Sequence, residues 1–296
     1  MEPTTYTYKT VEHCALHADV YRLSTTPTPS AALVWLHGGA LIYGSRKNIR
    51  LWQLARYLDA GYTVIAVDYR LAPESKLPAI ITDLRDALQW VREQGPGRFG
   101  IDPTRLAVVG HSAGGYLTLM AGCCVTPQPQ ALVALYGYGD IVGDWYSKPD
   151  PFYCQQPLVT EAESGRQQPG PVISEPYPGR GKDKFYLYCR QQGLWPQEVG
   201  GRDPVADPAF FAPYCPVQQV TPDYPPTLLL HGDHDTDVPY AQSVLMDAAL
   251  ARQQVPHELL TIPAGEHGFD GNPDAPAAQA ALAQVLHFWA EHCPAA

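Results

Sequence analysis

The chain has 296 residues, 45% of them hydrophobic and 17% charged, with a formal net charge of -10. At this length a chain buries roughly 75% of the surface its unfolded form exposes, so one large domain needs neither metal nor crosslink. The negative balance argues against a nucleic-acid partner, which demands a basic stripe, and no run approaches the roughly 20 apolar residues of a membrane span.

Residues 4–9 and 13–22 alternate apolar and polar side chains, which predicts half-buried antiparallel strands, and 27–30 reads as a turn. Residues 31–37 form a short apolar strand that ends in Gly38-Gly39-Ala40. A helix over 51–60 stops at Gly61, and 62–68 is a buried strand. The clearest helix is 77–94, where Ile80, Ile81, Leu84, Ala87, Leu88 and Val91 recur at helical spacing. A strand over 105–110, a helix over 113–124 and a strand over 131–136 follow. From 140 to 226 the rhythm breaks into a stretch rich in Pro, Gly, Tyr and Gln. Alternation then resumes with a strand at 227–232, a helix at 239–252, a strand at 257–262 and a helix at 276–292. Apolar strands alternating with amphipathic helices predict an α/β fold, a mostly parallel sheet with helices on both faces. The first two strands extend one edge.

The stretch 140–226 is too long for a plain loop, so the core is assigned to 1–139 and 227–296 and the stretch to an inserted lid. Its aromatics are Trp145, Tyr146, Phe152, Tyr153, Tyr177, Phe185, Tyr186, Tyr188, Trp195, Phe210, Phe211 and Tyr214. They are expected to exclude water and shape a pocket, in a lid part of which moves during turnover.

The seven cysteines (Cys14, Cys123, Cys124, Cys154, Cys189, Cys215 and Cys293) follow no framework, and residues 1–10 hold no apolar run of a signal peptide. Free thiols and a cytoplasmic setting are expected. The insertion, with three of these cysteines, is the one place where a disulfide is conceivable.

Gly110-His111-Ser112-Ala113-Gly114 matches G-x-S-x-G between a buried strand and a helix. A sharp turn there lifts Ser112 onto the rim of the sheet as a nucleophile, and the crowding two residues either side demands small residues, met by Gly110 and Gly114. His37-Gly38-Gly39-Ala40 supplies a second bare backbone. The N–H groups of Gly38, Gly39 and Ala113 are the expected oxyanion hole. His267, in Gly265-Glu266-His267-Gly268-Phe269 beyond the last strand, is placed to arrive as general base. Three aspartates compete for the third role. Asp233 lies too near the strand end, Asp237 beside Pro239 is placed to cap the next helix, and Asp235 in mid-loop is the choice. The D-x-D-x-D spacing is no calcium loop, because Val238 and Val244 stand where glycine and glutamate belong. No metal and no cofactor are expected.

The order Ser, Asp, His is that of the α/β-hydrolases. With Asp68-Tyr69-Arg70-Leu71-Ala72-Pro73-Glu74, these motifs resemble the hormone-sensitive-lipase group of esterases over nearly the whole chain outside the insertion. Ala40 stands where that group usually has a third glycine, and His111 where an acidic residue is common. In both respects the chain is similar to the carboxylesterase, feruloyl-esterase and formamidase branch, which overlaps with prolyl-oligopeptidase-like hydrolases. The resemblance implies a serine carboxylesterase acting on small carboxylic esters through an acyl-enzyme. Arylformamidase, lactonase and small-peptide hydrolase stand as alternatives on the same triad, and a ligand receptor on this scaffold as a rival of another class. A homo-oligomer is compatible with all of these readings. A thiol enzyme using Cys123 or Cys124 is disfavoured, because both lie at the far end of the helix after the elbow.

Overall fold

The computed structural model describes residues 2–166, 170–175 and 182–295. Its strands are β1 (Thr4–Val11), β2 (Cys14–Tyr21), β3 (Ser30–Leu36), β4 (Thr63–Val67), β5 (Ile101–His111), β6 (Ala131–Leu135), β7 (Thr227–Gly232) and β8 (His257–Ile262). They form one sheet in the order β1-β2-β4-β3-β5-β6-β7-β8. The pairings of β2 with β1 and with β4 are antiparallel and the rest are parallel. The interior strands are apolar throughout because both faces are covered. In β3, Ala32, Val34 and Leu36 enter one core while Ala31, Leu33 and Trp35 enter the other.

One face carries α1 (Leu51–Asp59), through Leu54, Tyr57 and Leu58, and the last helix, Pro276–His292, through Leu282, Val285, Phe288 and Trp289. The other carries α2 (Leu77–Phe99), α3 (Ala113–Cys124) and the helix Ala241–Arg252, through residues such as Leu84, Leu117 and Leu250. Short helices fill the insertion: α4 (Asp144–Ser147), α5 (Glu161–Ser164), α6 (Lys182–Gln192), α7 (Trp195–Gly200) and α8 (Pro208–Phe211). The two helices after β7 and β8 are α9 and α10.

Two elements run longer than their sequence patterns. The α2 helix continues through Gly95-Pro96-Gly97 to Phe99, and a Cβ on Gly95 would lie 2.6 Å from Ile101 Cδ1. Gly95 is thus where the helix crosses the sheet at close range, not where it stops. Strand β5 begins at Ile101, opposite Ser30, and its register with β3 then shifts before Ala32 meets Leu106.

Several aromatics of the insertion pack inward, while Phe152 is exposed. Tyr146 is stacked between Trp145 (centroids 3.6 Å apart) and Trp195 (4.0 Å). Trp195 is fully buried and its Nε1 donates to the Ala40 carbonyl at 2.9 Å. These rings belong to the apolar cluster that α2 and α3 press onto the sheet. Tyr177 lies outside the described residues.

Candidate active site

The C-terminal ends of the parallel strands gather the chemistry, the usual location in open α/β sheets. Strand β5 ends at His111, and Ser112 turns the chain into α3 with φ 54° and ψ -118°. Such a backbone costs of order 1–3 kcal/mol for a residue with a side chain. Neighbouring backbone fixes it: Ser112 N–H donates to the Leu135 carbonyl at 2.9 Å, and Tyr116 N–H to the Ser112 carbonyl at 2.9 Å. A Cβ at Gly110 would lie 2.3 Å from the Gly114 carbonyl oxygen, and one at Gly114 would lie 2.1 Å from that of Leu36. The turn closes only with glycine at both places.

His267 follows β8, and its Nδ1 lies 2.7 Å from Asp235 Oδ2. The Asp235 side chain is fully buried. Its Oδ1 accepts from the N–H groups of Asp237 and Val238, each at 2.9 Å. His231 Nε2 lies 3.2 Å from Oδ2. Burial alone would raise the Asp235 carboxyl, but hydrogen bonds from His231, His267 and Val238 outweigh it and hold it well below the usual range. For His267, burial favours the neutral ring, yet the hydrogen bond to Asp235 and the charges of Asp237, Asp235 and Asp270 prevail and raise its pKa. Ser112 and His267 open on one cavity, but no hydrogen bond joins them in this structure; His267 Nε2 lies 3.5 Å from Asp237 Oδ2.

Asp237 does not cap α9, whose first residue is Ala241 and whose N-cap position, Tyr240, makes no side-chain cap. The carboxylates of the D-x-D-x-D run serve separate ends: Asp233 accepts from Ala264 N–H at 2.6 Å, Asp235 holds His267, and Asp237 faces the insertion.

The cavity measures about 300 Å³. Gly38, Gly39 and Ala40 line it beside Ser112, and Ala113 is the first residue of α3. A Cβ on Gly38 would lie 3.3 Å from Ser112 Cβ, and Gly39 has φ 111°, a conformation suited to glycine. Below them His37 is buried, and burial pulls it down to about 4, so it stays neutral. Its ring stacks on Tyr69 (centroids 4.1 Å apart), whose hydroxyl donates to the His37 carbonyl at 2.8 Å. The remaining walls are Trp35, Tyr43, Gly44, Asn48, Arg50, His111, Tyr136, Asp237 and Gly268. Among the described residues, none of the insertion's aromatics lines this cavity, contrary to the expectation from composition. Tyr146, Phe185, Tyr186, Trp195 and Phe211 are buried in the core instead.

Sequence reasoning missed a buried hub beneath the cavity floor. Asp270 accepts from Tyr136 OH and from Gln53 Nε2, each at 2.7 Å, lies 3.2 Å from His111 Nε2 and is paired with Arg50. Burial would raise this carboxyl, but His111 and Arg50 keep it far below the usual range. Tyr136 in turn presents its ring edge-on to His267, centroids 4.7 Å apart. In the Asp68–Glu74 stretch, Asp68 is paired with Arg46, and Arg70 with Asp83 at 2.7 Å. None of these residues lines the cavity among those described. All seven cysteines are free. Burial pushes the Cys123 thiol up to about 12 and Cys124 up to about 11, the wrong direction for a nucleophile.

The family model for the alpha/beta hydrolase fold matches residues 33–271. The chain belongs to that family. Among curated relatives of this alpha/beta hydrolase, an esterase from Mycobacterium tuberculosis is 30% identical over 85% of the chain and 56% of its own length. An ethyl acetate hydrolase from Pseudomonas putida is 49% identical over 46% of the chain and 40% of its own. A non-reducing polyketide synthase from Penicillium brevicompactum is 29% identical over 93% of the chain but 15% of its own. The chain thus spans about half the length of the first of these relatives and a small part of the synthase. Among solved structures, a Staphylococcus aureus protein of unknown function superimposes with TM-score 0.80 at 22% identity, covering 98% of this chain and 99% of that one. A propionate-bound thermophilic esterase from Thermogutta terrifontis gives 0.71 at 21%, covering 99% and 96%. At such identity the superpositions bear on the fold alone.

Proposed function

We propose that the chain is a serine carboxylesterase that hydrolyses small carboxylic esters through an acyl-enzyme, with Ser112 as nucleophile, His267 as general base and Asp235 orienting it. One observation carries this reading: a serine held at φ 54° opens on the same cavity as a histidine whose far nitrogen is 2.7 Å from a buried carboxylate.

In the reaction, His267 Nε2 takes the proton of Ser112 as Oγ attacks the ester carbonyl. Backbone N–H groups of Gly38, Gly39 and Ala113 receive the oxyanion. The His267 cation, stabilised by Asp235, protonates the leaving alcohol. Water then enters, loses a proton to the same nitrogen and releases the acid. The relatives named as an esterase and an ethyl acetate hydrolase support this substrate class. Aryl formamides, lactones and small peptides would use the same steps.

The test is a panel of p-nitrophenyl esters, aryl formamides, lactones and peptide anilides, with mass spectrometry after fluorophosphonate treatment. Esters are expected to turn over fastest. The phosphonyl mass should sit on the peptide containing Ser112 and vanish in Ser112→Ala together with turnover. Tight binding of esters without turnover would favour a receptor on the same scaffold, and labelling elsewhere would overturn the assignment.

A further inference from the structure

Asp237 stands outside the proposed triad, yet it touches both the base and the insertion. Its Oδ1 accepts from Tyr153 OH at 2.8 Å, Tyr186 OH at 2.6 Å and Arg190 Nη1 at 2.8 Å. Arg190 is itself fully buried, donates also to the Asp237 backbone carbonyl at 2.9 Å, and reaches Asp150 Oδ2 at 2.6 Å. Its guanidinium lies over the rings of Tyr153 (4.5 Å) and Tyr146 (5.0 Å). All three side-chain donors come from the insertion and fix one oxygen. The other oxygen faces the cavity, 3.5 Å from His267 Nε2. That nitrogen must serve Ser112, because Nδ1 is committed to Asp235.

We propose that Asp237 is a positioning residue for the general base: the insertion clamps its carboxylate so that the free oxygen sits beside the working nitrogen of His267 and favours the cation formed there during acyl transfer. The proposal rests on the serine-esterase reading above. It also gives the insertion a task its aromatics do not perform at the cavity wall, since Tyr153, Tyr186 and Arg190 act on the base through one carboxylate.

The other groups around His267 are accounted for. Asp235 holds Nδ1, and Asp270 lies behind Tyr136, whose ring meets the imidazole edge-on. Arg50, His111, Tyr43 and Ser112 share the cavity, and Glu266 is an exposed chain neighbour. Among the described residues, Asp235 and Asp237 are the carboxylates within 4.0 Å of the ring nitrogens. Of these, Asp237 alone is on the side of Nε2.

The pH dependence of kcat/KM separates this role from a merely structural one. In Asp237→Asn a negative charge leaves Nε2, so the base stays neutral to lower pH and the acid limb moves down by roughly half a unit to one unit, the low end for a charge at this range because Arg190 already offsets it. The plateau falls by up to about tenfold, the equivalent of one such unit. Tyr186→Phe keeps the charge and removes its shortest donor, so the limb moves up. Circular dichroism checks folding; if the Asn variant does not fold, the Phe variant alone decides, an upward limb supporting the proposal and an unmoved or lowered one overturning it. Both variants folded with the wild-type limb would also overturn it. A wild-type chain that hydrolyses no ester would instead remove the reading beneath it.

Discussion

Ser112, His267 and Asp235 are recruited from loops that follow different strands, and each is held by neighbours chosen for size or charge. At Gly114 the requirement is size: a Cβ would lie 2.1 Å from backbone oxygen of β3, which cannot rotate away. Gly114→Ala is therefore expected to lower stability by about 1–3 kcal/mol in urea unfolding and to abolish fluorophosphonate labelling, because the turn must open. At His267 the requirement is charge. In the proposed reaction its neutral form is the base, and its pKa is raised by Asp235 and Asp237 against burial. Activity should accordingly be lost as pH falls through a value above the ordinary imidazole value of about 6.5. Asp235→Asn should lower kcat by on the order of 10³–10⁴-fold, since the wrong tautomer then faces Ser112. The motifs around Ser112, Asp235 and His267 are visible in the sequence because local glycines and loop position carry them. Asp237 reads as a helix cap from the sequence because its partner Arg190 lies 47 residues earlier, beyond any local pattern.

Elements show the same division between local and distant signals. The buried strands are legible because each is a short apolar run, and the helices because their apolar stripes repeat. The end of α2 is not, since Gly95-Pro96-Gly97 reads as a stop, while packing against Ile101 keeps the helix running. The Asp270 hub is equally silent in sequence. It joins the loop after β8 to the start of α1 through Arg50 and Gln53, and to the ends of β5 and β6 through His111 and Tyr136. Asp270→Asn leaves the partly exposed Arg50 guanidinium short of its countercharge and weakens the acceptor for Tyr136 and Gln53, and should cost about 1–3 kcal/mol near neutrality, read as a lower urea midpoint. The folded-state pKa of Asp270 is depressed. Its contribution is thus full above the unfolded carboxyl value of about 3.9 and is lost as pH falls through the folded value. The gap between wild type and variant should therefore narrow in acid. A constant gap would show that charge is not its origin.

At the scale of the whole molecule, several side chains from 140–226 pack into the core, and three reach Asp237 beside the cavity. The insertion's aromatic composition suggested a substrate-shaping cover. The structure spends Trp145, Tyr146 and Trp195 on one stack, so the Glu198 amide, which donates to the Leu194 carbonyl at 3.0 Å beside the buried Trp195, should exchange slowly. The cavity of about 300 Å³ is at the small end for ligand sites. Short acyl chains should fit it, with kcat/KM falling at least about tenfold from butanoyl to decanoyl p-nitrophenyl esters because the longer chain overfills the cavity.

The convergence of Ser112 and His267 is tested most directly by a crystal structure of the fluorophosphonate adduct. Phosphorus is expected on Ser112 Oγ, its oxygen among the N–H groups of Gly38, Gly39 and Ala113, and His267 Nε2 within hydrogen-bond distance of Oγ. An adduct on another residue, or an imidazole turned away from Ser112, would contradict that convergence.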